Sequence, residues 1–394
     1  MTQINLTLNL DNLKDQVLNS ELDSVLKSTL VLVLNEIMEK EREDYLNAKA
    51  YERTEGRADY RNGYYERDFM MSIGKIKLTV PRTRNGQFST SLFEKYSRVE
   101  QAFVLSMMEM VVNGVSTRKV TKVVEQLCGE NVSKSFVSTI TKKLDPIVNE
   151  WANRPLNIMY YKYVYVDAMY IKVREHHRIV SKAVYIAIGV NADNKREIIG
   201  LNINHGESKA GWNQFFEHLK SRGFQSPKLI ISDAHKGLKA AIGESFVGSS
   251  WQRCTFHFKK NLFDHMPKKN SEEAKHLLLR IFDAEEPEEA RSLKAEFMQK
   301  YDEQKAFKNL LECLDEGFED SIQFMNEHIE YHKKLRTTNN LERLNSEIRR
   351  RESVIRIFPN TQSAFRLIGA VLMDCQERLD PGNRKYLNKT PKKA

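Results

Sequence analysis

One short segment, YVYVDAMYIKV at residues 163–173, constrains the fold of this chain more than any other. Its β-branched and aromatic residues predict an extended strand, in which every second side chain points to the same face. Asp167 stands in the middle of one apolar face, between Tyr165 and Met169. An ionised carboxylate there is costly unless a cation, a metal ion or water lies beside it. The strand therefore predicts either an aspartate in an ordinary surface ion pair or a functional site built on a sheet.

Composition narrows the class of partner and the compartment. The chain has 394 residues and is 41% hydrophobic, which allows about two to four domains and a substantial core. Lys and Arg number 62 against 53 Asp and Glu, and the net charge of +9 suits a polyanionic partner, although many enzymes are mildly basic. The four cysteines form no CxxC pair, so neither a disulfide framework nor a zinc ribbon is indicated, and a reducing cytosol is expected. No apolar run approaches the roughly 20 residues that span a bilayer, and the N-terminus lacks a signal-peptide pattern.

The N-terminal region predicts a helix followed by a small sheet. From Leu22 to about Tyr51 apolar residues recur at helical spacing, and either the chain's own core or a second protomer must cover this stripe. Residues 1–60 are therefore a predicted helical region and a candidate for dimerisation. Residues 61–96 carry two Asn-Gly turn signals around alternating segments, which predicts an antiparallel sheet rich in Arg and Tyr. Such a sheet either binds DNA or has an ordinary solvated face.

Residues 97–156 predict three further helices, with Ser116 and Ser133 as N-caps of the second and third. Gly114 and Gly129 end the first and second. The predicted helices span residues 98–114, 116–129 and 133–151. Short capped helices joined by a tight turn are typical of a helix-turn-helix DNA-binding domain, and a purely structural bundle is the alternative. The side chains expected to face DNA are Arg118, Lys119, Lys134, Ser135, Ser138 and Lys142.

After Arg154 the pattern changes to that of a sheet domain. Three consecutive strands, a crossover helix and a short buried strand, LIISD, describe a mixed sheet covered by helices. Residues 261–332 are helical and highly charged, so we expect an all-α insertion. It would split the sheet domain into residues 157–260 and 333–380, and a basic tail follows at 381–394.

Three carboxylates are candidates for a common site. Asp233 ends the strand LIISD, at the edge where open α/β sheets gather functional groups. If the crossover is right-handed, this strand lies beside that of Asp167, and the two carboxylates become neighbours. Oxygen ligands suit Mg²⁺, and two such ions about 4 Å apart support phosphoryl transfer at a phosphodiester. A third acid is expected from TTNNLERLNSEIRRR, which offers Glu342 and Glu347. Asn339 and Glu342 also fit a helix capping box, which would explain both residues without catalysis.

Two further motifs accompany the acids. Cys254 and His257 form CxxH, which either begins a zinc site with His265 or places a buried thiol and a hydrogen-bonding histidine near the site. The segment with the third acid is rich in arginine, whose planar forks suit phosphate oxygens. These arginines are Arg343, Arg349, Arg350 and Arg351. The sequence has no GxSxG, P-loop or dinucleotide fingerprint, so metal-dependent phosphoryl transfer remains.

Several ordered motifs resemble those of the mutator-type transposases of bacterial insertion sequences, a family of the DDE, RNase H-like superfamily. They are YVDAMYIKVR, GESKAGWNQFF, LIISDAHKGL, SWQRCTFHF, TTNNLERLNSEIRRR and RIFPNTQSAFRLIGAVLM, and the likeness covers most of the chain. The resemblance implies an α/β fold with an RNase H-like, retroviral-integrase-type mixed-sheet core. An all-α insertion would interrupt this core, and an N-terminal helix-turn-helix DNA-binding region would precede it.

The resemblance also implies residue roles. Asp167, Asp233 and Glu342 would form a DDE catalytic triad and ligate two Mg²⁺ ions per active site, with Mn²⁺ as a substitute. The residues expected to support this site are Cys254, His257, Asn339 and Arg343.

The implied activity is that of a DNA transposase. It would bind the terminal inverted repeats of an insertion sequence, cleave double-stranded DNA at the ends and join the freed 3′-hydroxyl to target DNA. It would act as a homodimer or higher assembly in the bacterial cytoplasm, at the nucleoid. Two alternatives stay open: an RNase H-like nuclease that never joins DNA, and a catalytically idle regulator descended from a transposase.

Overall fold

The chain folds into two compact units, residues 1–141 and residues 142–394. The computed structural model describes residues 22–52, 56–71, 74–90, 105–128, 133–268, 271–379 and 385–387.

The first unit pairs a long helix with a two-stranded sheet. Helix α1 spans Leu22–Leu46, and strands β1 (Arg61–Met71) and β2 (Gly74–Thr83) pair antiparallel, as predicted. Leu34 and Met38 of α1 are fully buried against the apolar side of this hairpin. The chain's own hairpin therefore covers much of the predicted apolar stripe.

The two Asn-Gly signals have different outcomes. Asn85-Gly86 forms a turn after β2, with Gly86 at a φ of 69°. Asn62-Gly63 lies inside β1 instead, where the pairing register shifts between Arg61 and Tyr64. Gly63, at a φ of 70°, accommodates this bulge because it has no Cβ.

Residues 105–112 are helical, and α2 (Thr117–Cys128) and α3 (Lys134–Thr141) follow. The predicted caps are confirmed: the hydroxyls of Ser116 and Ser133 accept from the amides of Lys119 (3.4 Å) and Phe136 (3.1 Å). Gly114 ends the preceding helix at a φ of 88°. The predicted stop at residue 129 lies outside the described residues.

The third predicted helix is in fact two helices. Helix α3 ends at Thr141, and α4 (Leu144–Ala152) belongs to the second unit. There Asp145 forms an ion pair with Arg366 at 2.5 Å, and Val148 packs so closely on Gly369 that a Cβ would not fit. The predicted domain at 97–156 therefore extends too far, because tertiary packing takes its last helix into the sheet unit.

The second unit is built on a five-stranded mixed sheet. Its strands are β3 (Tyr161–Glu175), β4 (Arg178–Asn191), β5 (Arg196–Asn204), β6 (Leu229–Ser232) and β7 (Ser250–Arg253). The order is β5-β4-β3-β6-β7: the first three strands pair antiparallel, whereas β6 and β7 run parallel to β3. This confirms the predicted mixed α/β sheet.

Helices cover the two faces of the sheet. Helices α5 (Lys209–Ser221) and α6 (Lys236–Ser245) enclose one core, in which Trp212, Phe215 and Phe216 pack against Val164 and Val166. These valines alternate along β3 with residues of the other face, where the Tyr165 hydroxyl donates to the carbonyl of Lys334 at 2.9 Å. A strand buried on both faces is the expected centre of a layered α/β unit.

An all-helical segment separates β7 from the last two helices, as predicted. It contains α7 (Thr255–Asp264), α8 (Glu272–Asp283), α9 (Pro287–Tyr301), α10 (Lys308–Ser321) and α11 (Ile329–Leu335). Helices α12 (Asn339–Ile355) and α13 (Thr361–Leu379) follow. The segment shares one compact unit with the sheet, because α10 packs on α7 and β7. Among the described residues, no helix has the length and apolarity to cross a bilayer.

Candidate active site

The sheet brings Asp167 and Asp233 to one level on adjacent strands. Strand β3 pairs parallel with β6 in a register that sets Tyr165 opposite Ile231. Asp167 lies two residues further along β3, and Asp233 directly follows the end of β6 at Ser232, so this register brings the two residues to the same level. Both residues line one cleft of about 390 Å³. The predicted neighbouring of the two strands is confirmed.

Asp167 has an electrostatic environment that disfavours its charge. Burial and the nearby charge of Asp233 raise the pKa of Asp167 to about 6, although hydrogen bonds to the carboxylate oppose the shift. These come from the backbone amide of Ala168 at 2.8 Å and from the side-chain amide of Asn345 at 2.7 Å. A cation in the cleft would relieve the repulsion between the two aspartates.

His257 bridges the second and third acids. Its Nδ1 contacts Oδ1 of Asp233, and its Nε2 lies 3.5 Å from Oε1 of Glu342. Hydrogen bonds with Asp233 and Cys254 raise the pKa of His257 to about 10, against the effect of burial. A protonated imidazole at neutral pH therefore lies between the two carboxylates.

Cys254 ties the same histidine to the sheet and to the distant helix. Its backbone amide donates to the carbonyl of Ser232 at 2.8 Å, and its buried Sγ accepts from the hydroxyl of Thr338 at 3.4 Å. Burial raises the pKa of the Cys254 thiol, but hydrogen bonds from His257 and Thr338 outweigh this and leave it lowered. Cys254, His257 and Thr338 together join the end of β6 to the start of α12.

The helix start rules out the capping box. The N-cap of α12 is Thr338, not Asn339. The Thr338 side chain makes no cap hydrogen bond, because its hydroxyl donates to Cys254 Sγ instead. Glu342 therefore needs another explanation than capping. Glu347, the alternative third acid, pairs with Arg350 at 3.1 Å and with Arg351. Of the two glutamates, Glu342 is the one that contacts His257, the neighbour of Asp233, although it does not line the cleft shared by Asp167 and Asp233.

Two residues at this site escaped the sequence analysis. Asn345 follows Glu342 by three positions, and this helical spacing was the signal that could have found it. Glu207 lines the cleft and adds a further negative charge near Asp167. Its Oε1 accepts from the indole of Trp212 at 3.2 Å. Glu207 stands in the motif GESKAGWNQFF, which was the signal that could have found it, but only the tertiary structure brings it into the cleft.

The CxxH motif does not extend to His265. Ligand atoms of Asp233, Cys254 and His257 lie within 4.8 Å of one another, the single such group found among the described residues. His265 instead ends α7 and is exposed. A zinc site of the predicted composition is therefore not formed, whereas the predicted buried thiol and hydrogen-bonding histidine are present.

Most of the predicted DNA-binding side chains are exposed, but one is buried. The exposed residues are Arg118, Lys119, Lys134, Ser135, Ser138, Lys142, Arg349 and Arg350. Arg351 is only 1% exposed and pairs with Glu347, so it is a structural residue here and not a phosphate contact. Asn339 and Arg343, predicted to support the site, are exposed, and the structure gives them no contact with the three acids.

The fold and site define a class of protein: an α/β protein in which a mixed sheet presents two aspartates and a late helix adds a glutamate. Its family follows from the match of residues 1–380 to the family model for "Transposase, Mutator family". The chain belongs to the Mutator family of transposases, which confirms the resemblance seen in its motifs.

Relatives in this family are named as insertion-sequence transposases. The chain is 50% identical over 388 residues to the transposase for insertion sequence element IS256 in transposon Tn4001 of Staphylococcus aureus, covering 98% of this chain and 99% of the relative. It is 40% identical to the transposase of ISRM5 from Rhizobium meliloti, covering 92% and 90%. With the transposase of IS1081 from Mycobacterium tuberculosis, identity is 36%, covering 95% and 90%.

Proposed function

We propose that this protein is a DDE transposase in which Asp167, Asp233 and Glu342 form the catalytic triad. It binds the terminal inverted repeats of its element, cleaves at the ends and joins the freed 3′-hydroxyl to DNA. The observation that carries the proposal is that the adjacent strands β3 and β6 lead to Asp167 and Asp233 in one cleft, while His257 contacts both Asp233 and Glu342 of α12.

The sheet topology supports an RNase H-like core. Three antiparallel strands followed by two strands parallel to the first are the arrangement expected of that fold, and both aspartates lie on its central pair. The helical segment before Glu342 fits the expected insertion. Its hydrogen bonds with the sheet indicate an insertion that packs on the core.

The site residues fit divalent metal ions. Carboxylates are hard oxygen donors of the kind that Mg²⁺ prefers, and Mn²⁺ takes similar ligands. Oδ1 of Asn345 is buried beside Asp167 and accepts no hydrogen bond from the described residues. Asp167, Asp233 and Glu342 would hold the ions. Two ions bound there would activate an attacking oxygen and stabilise a departing one.

The protein's own residues orient this chemistry. Asn345 holds the Asp167 carboxylate in one orientation through its 2.7 Å hydrogen bond. His257 contacts both Asp233 and Glu342, so a protonated imidazole there would lower the repulsion between the two carboxylates. Exposed Arg349 and Arg350 lie further along the helix of Glu342, where they would bind backbone phosphates.

DNA recognition is assigned to the first unit. Helices α2 and α3 would contact base edges and phosphates with Arg118, Lys119, Lys134, Ser135 and Ser138, while Lys142 directly follows α3. The protein would act as a homodimer or higher assembly, because two element ends must be joined to one target.

The test uses full-length protein and a labelled duplex of the element end with flanking DNA, in Mg²⁺ or in chelator. Wild-type protein should nick at the end only with metal. Asp233→Asn and Glu342→Gln should bind the duplex but lose more than about 100-fold in cleavage rate. Asp193→Asn, which changes an exposed aspartate in the turn between β4 and β5, is the matched control and should cleave normally.

The remaining outcomes identify the rival functions. Cleavage without any covalent joint to target DNA would indicate a nuclease. A wild-type protein that binds ends but never cuts with any divalent metal would indicate an idle regulator. Normal cleavage by Asp233→Asn would overturn the triad.

A further inference from the structure

A second concave surface lies in the first unit, on the β1–β2 hairpin. It is a cleft of about 630 Å³ whose lining includes Arg67, Arg82 and Arg84 together with Tyr65 and Phe88. Among the described residues that line it, none is Asp or Glu. The exposed side chains of Arg82 and Arg84, in a lining with no carboxylate among the described residues, fit a site for an anion.

The charges of this cleft differ from those on the other side of the same hairpin. On that side, Lys75 and Lys77 form ion pairs with Asp68 at 2.7 Å and Glu66 at 3.0 Å, so their charge is locally neutralised. In the cleft, Arg82 and Arg84 are exposed and form no ion pair with a carboxylate in the part of the chain that the structure describes; Asp59, outside the lining, interacts with the charge of Arg84 only at longer range. Successive side chains along each strand point to opposite faces. The sequence itself therefore determines that one face carries ion-paired lysines and the other carries Arg82 and Arg84.

Both walls of the cleft are held in place. The guanidinium of Arg82 lies 4.4 Å from the centre of the Tyr65 ring, which fixes its plane. The opposite wall, residues 84–90, is attached to α1, because Phe88 packs on Tyr45 with ring centres 5.4 Å apart. The amide of Asn85 also donates to Asp59 at 3.0 Å. A cleft with fixed walls loses little conformational entropy when a ligand binds.

We propose that this arginine cleft, lined by Arg67, Arg82, Arg84, Tyr65 and Phe88, binds the phosphate backbone of duplex DNA. The proposal rests on the proposed function, which supplies DNA as the partner, and adds a contact surface outside helices α2 and α3. Arginine forks bind phosphate oxygens, and the aromatic walls contact the sugars. Such contacts add affinity without reading sequence.

The test measures equilibrium binding of full-length protein to labelled duplexes across a range of salt concentrations. One duplex carries the element end and the other has unrelated sequence. Arg82→Gln/Arg84→Gln should weaken binding to both duplexes equally and reduce the slope of log affinity against log salt by about 2, one for each lost phosphate contact. Lys75→Gln/Lys77→Gln, on the opposite face, is the matched control and should keep a slope close to that of wild type.

A charge-preserving variant separates binding from folding. Arg82→Lys/Arg84→Lys should restore most of the slope of log affinity against log salt. If the Gln variant fails to fold, its α-helical circular dichroism will be lower than that of wild type. An unchanged slope in the folded Gln variant would contradict the binding of DNA by the arginine cleft. A loss of affinity for the element end alone would also contradict it, because phosphate contacts do not read sequence. A wild-type protein that fails to prefer the element end would instead contradict the proposed function.

Discussion

Asp167 and Asp193 are the same amino acid in the same sheet unit, yet their surroundings give them different chemistry. Asp193 is exposed in a turn, whereas burial and a neighbouring aspartate raise the pKa of Asp167 to about 6. The Asn345 amide opposes this shift, because a hydrogen bond to a carboxylate stabilises its charged form. At the residue scale, the Ala168 amide and the Asn345 side chain both favour the ionised form of Asp167, and Asn345 orients its carboxylate.

Replacing Asn345 by Ala should weaken the response of the enzyme to metal. We expect the Mg²⁺ concentration for half-maximal cleavage to rise by about tenfold, since partners of metal ligands typically contribute 10–100-fold. DNA affinity should stay unchanged. The measurement is a Mg²⁺ titration of cleavage, with Asn309→Ala, an exposed asparagine on α10, as control. An unaltered titration for Asn345→Ala would show that the hydrogen bond does not position Asp167.

At the scale of elements, the start of α12 is fixed by contacts with the junction between β7 and α7. Thr338, only 2% exposed, donates to Cys254, and the amide and hydroxyl of Thr255 both donate to the carbonyl of Arg336. These hydrogen bonds set the helix that carries Glu342 against the strand that ends at Asp233. The CxxH motif therefore acts here as a connection between elements.

A double-mutant cycle tests this connection. Thr338→Val and Cys254→Ala should each slow cleavage by about fivefold, since a lost hydrogen bond of this kind is worth about 1 kcal/mol. The double variant should be no slower than Cys254→Ala alone, because that substitution already removes the hydrogen bond from Thr338. Cys375→Ala, which removes another buried thiol from α13, should cleave normally. Strictly multiplicative losses in the double variant would contradict the connection.

At the scale of the whole molecule, Glu327 links the helical segment to the sheet. The Tyr163 hydroxyl donates to it at 2.6 Å, and the Lys228 ammonium lies 2.5 Å from its other oxygen. Burial disfavours the charged carboxylate, but hydrogen bonds from Lys228 and Tyr163 outweigh this and leave the pKa of Glu327 below its usual value. The helical segment is therefore held to the core by a charged group.

This lowered pKa predicts a pH-dependent stability. The contribution of Glu327 is fully present above its unfolded pKa of about 4.3 and is lost as the pH falls through its lower folded pKa. Glu327→Gln should be less stable than wild type at pH 7 by about 1–3 kcal/mol. The difference should shrink near pH 3.

Thermal unfolding of wild type and Glu327→Gln at both pH values measures this effect. Glu217→Gln, on an exposed face of α5, should match wild type at each pH. A stability gap for Glu327→Gln that is the same at pH 3 and pH 7 would show that the carboxylate charge is not responsible.

The sequence by itself determined the elements whose signals are local. Alternation predicted β3, hydroxyl caps at Ser116 and Ser133 predicted helix starts, and the order of strands predicted the neighbouring of β3 and β6. These signals depend on backbone geometry within a few residues, so they are readable in the chain. The expected right-handed crossover added a longer-range inference, which placed Asp167 and Asp233 at the same end of adjacent strands.

Only the tertiary structure decided the contacts between distant segments. The Thr338 side chain could cap its own helix, but in the folded unit its hydroxyl donates to the Cys254 thiol instead. Arg351 resembles its neighbour Arg350 in sequence, yet the core buries one and solvent surrounds the other. Helix α3 ends at Thr141, and α4 packs on α13, where Asp145 pairs with Arg366. Such outcomes depend on competing burial and hydrogen bonds across the whole unit, and no local pattern records that competition.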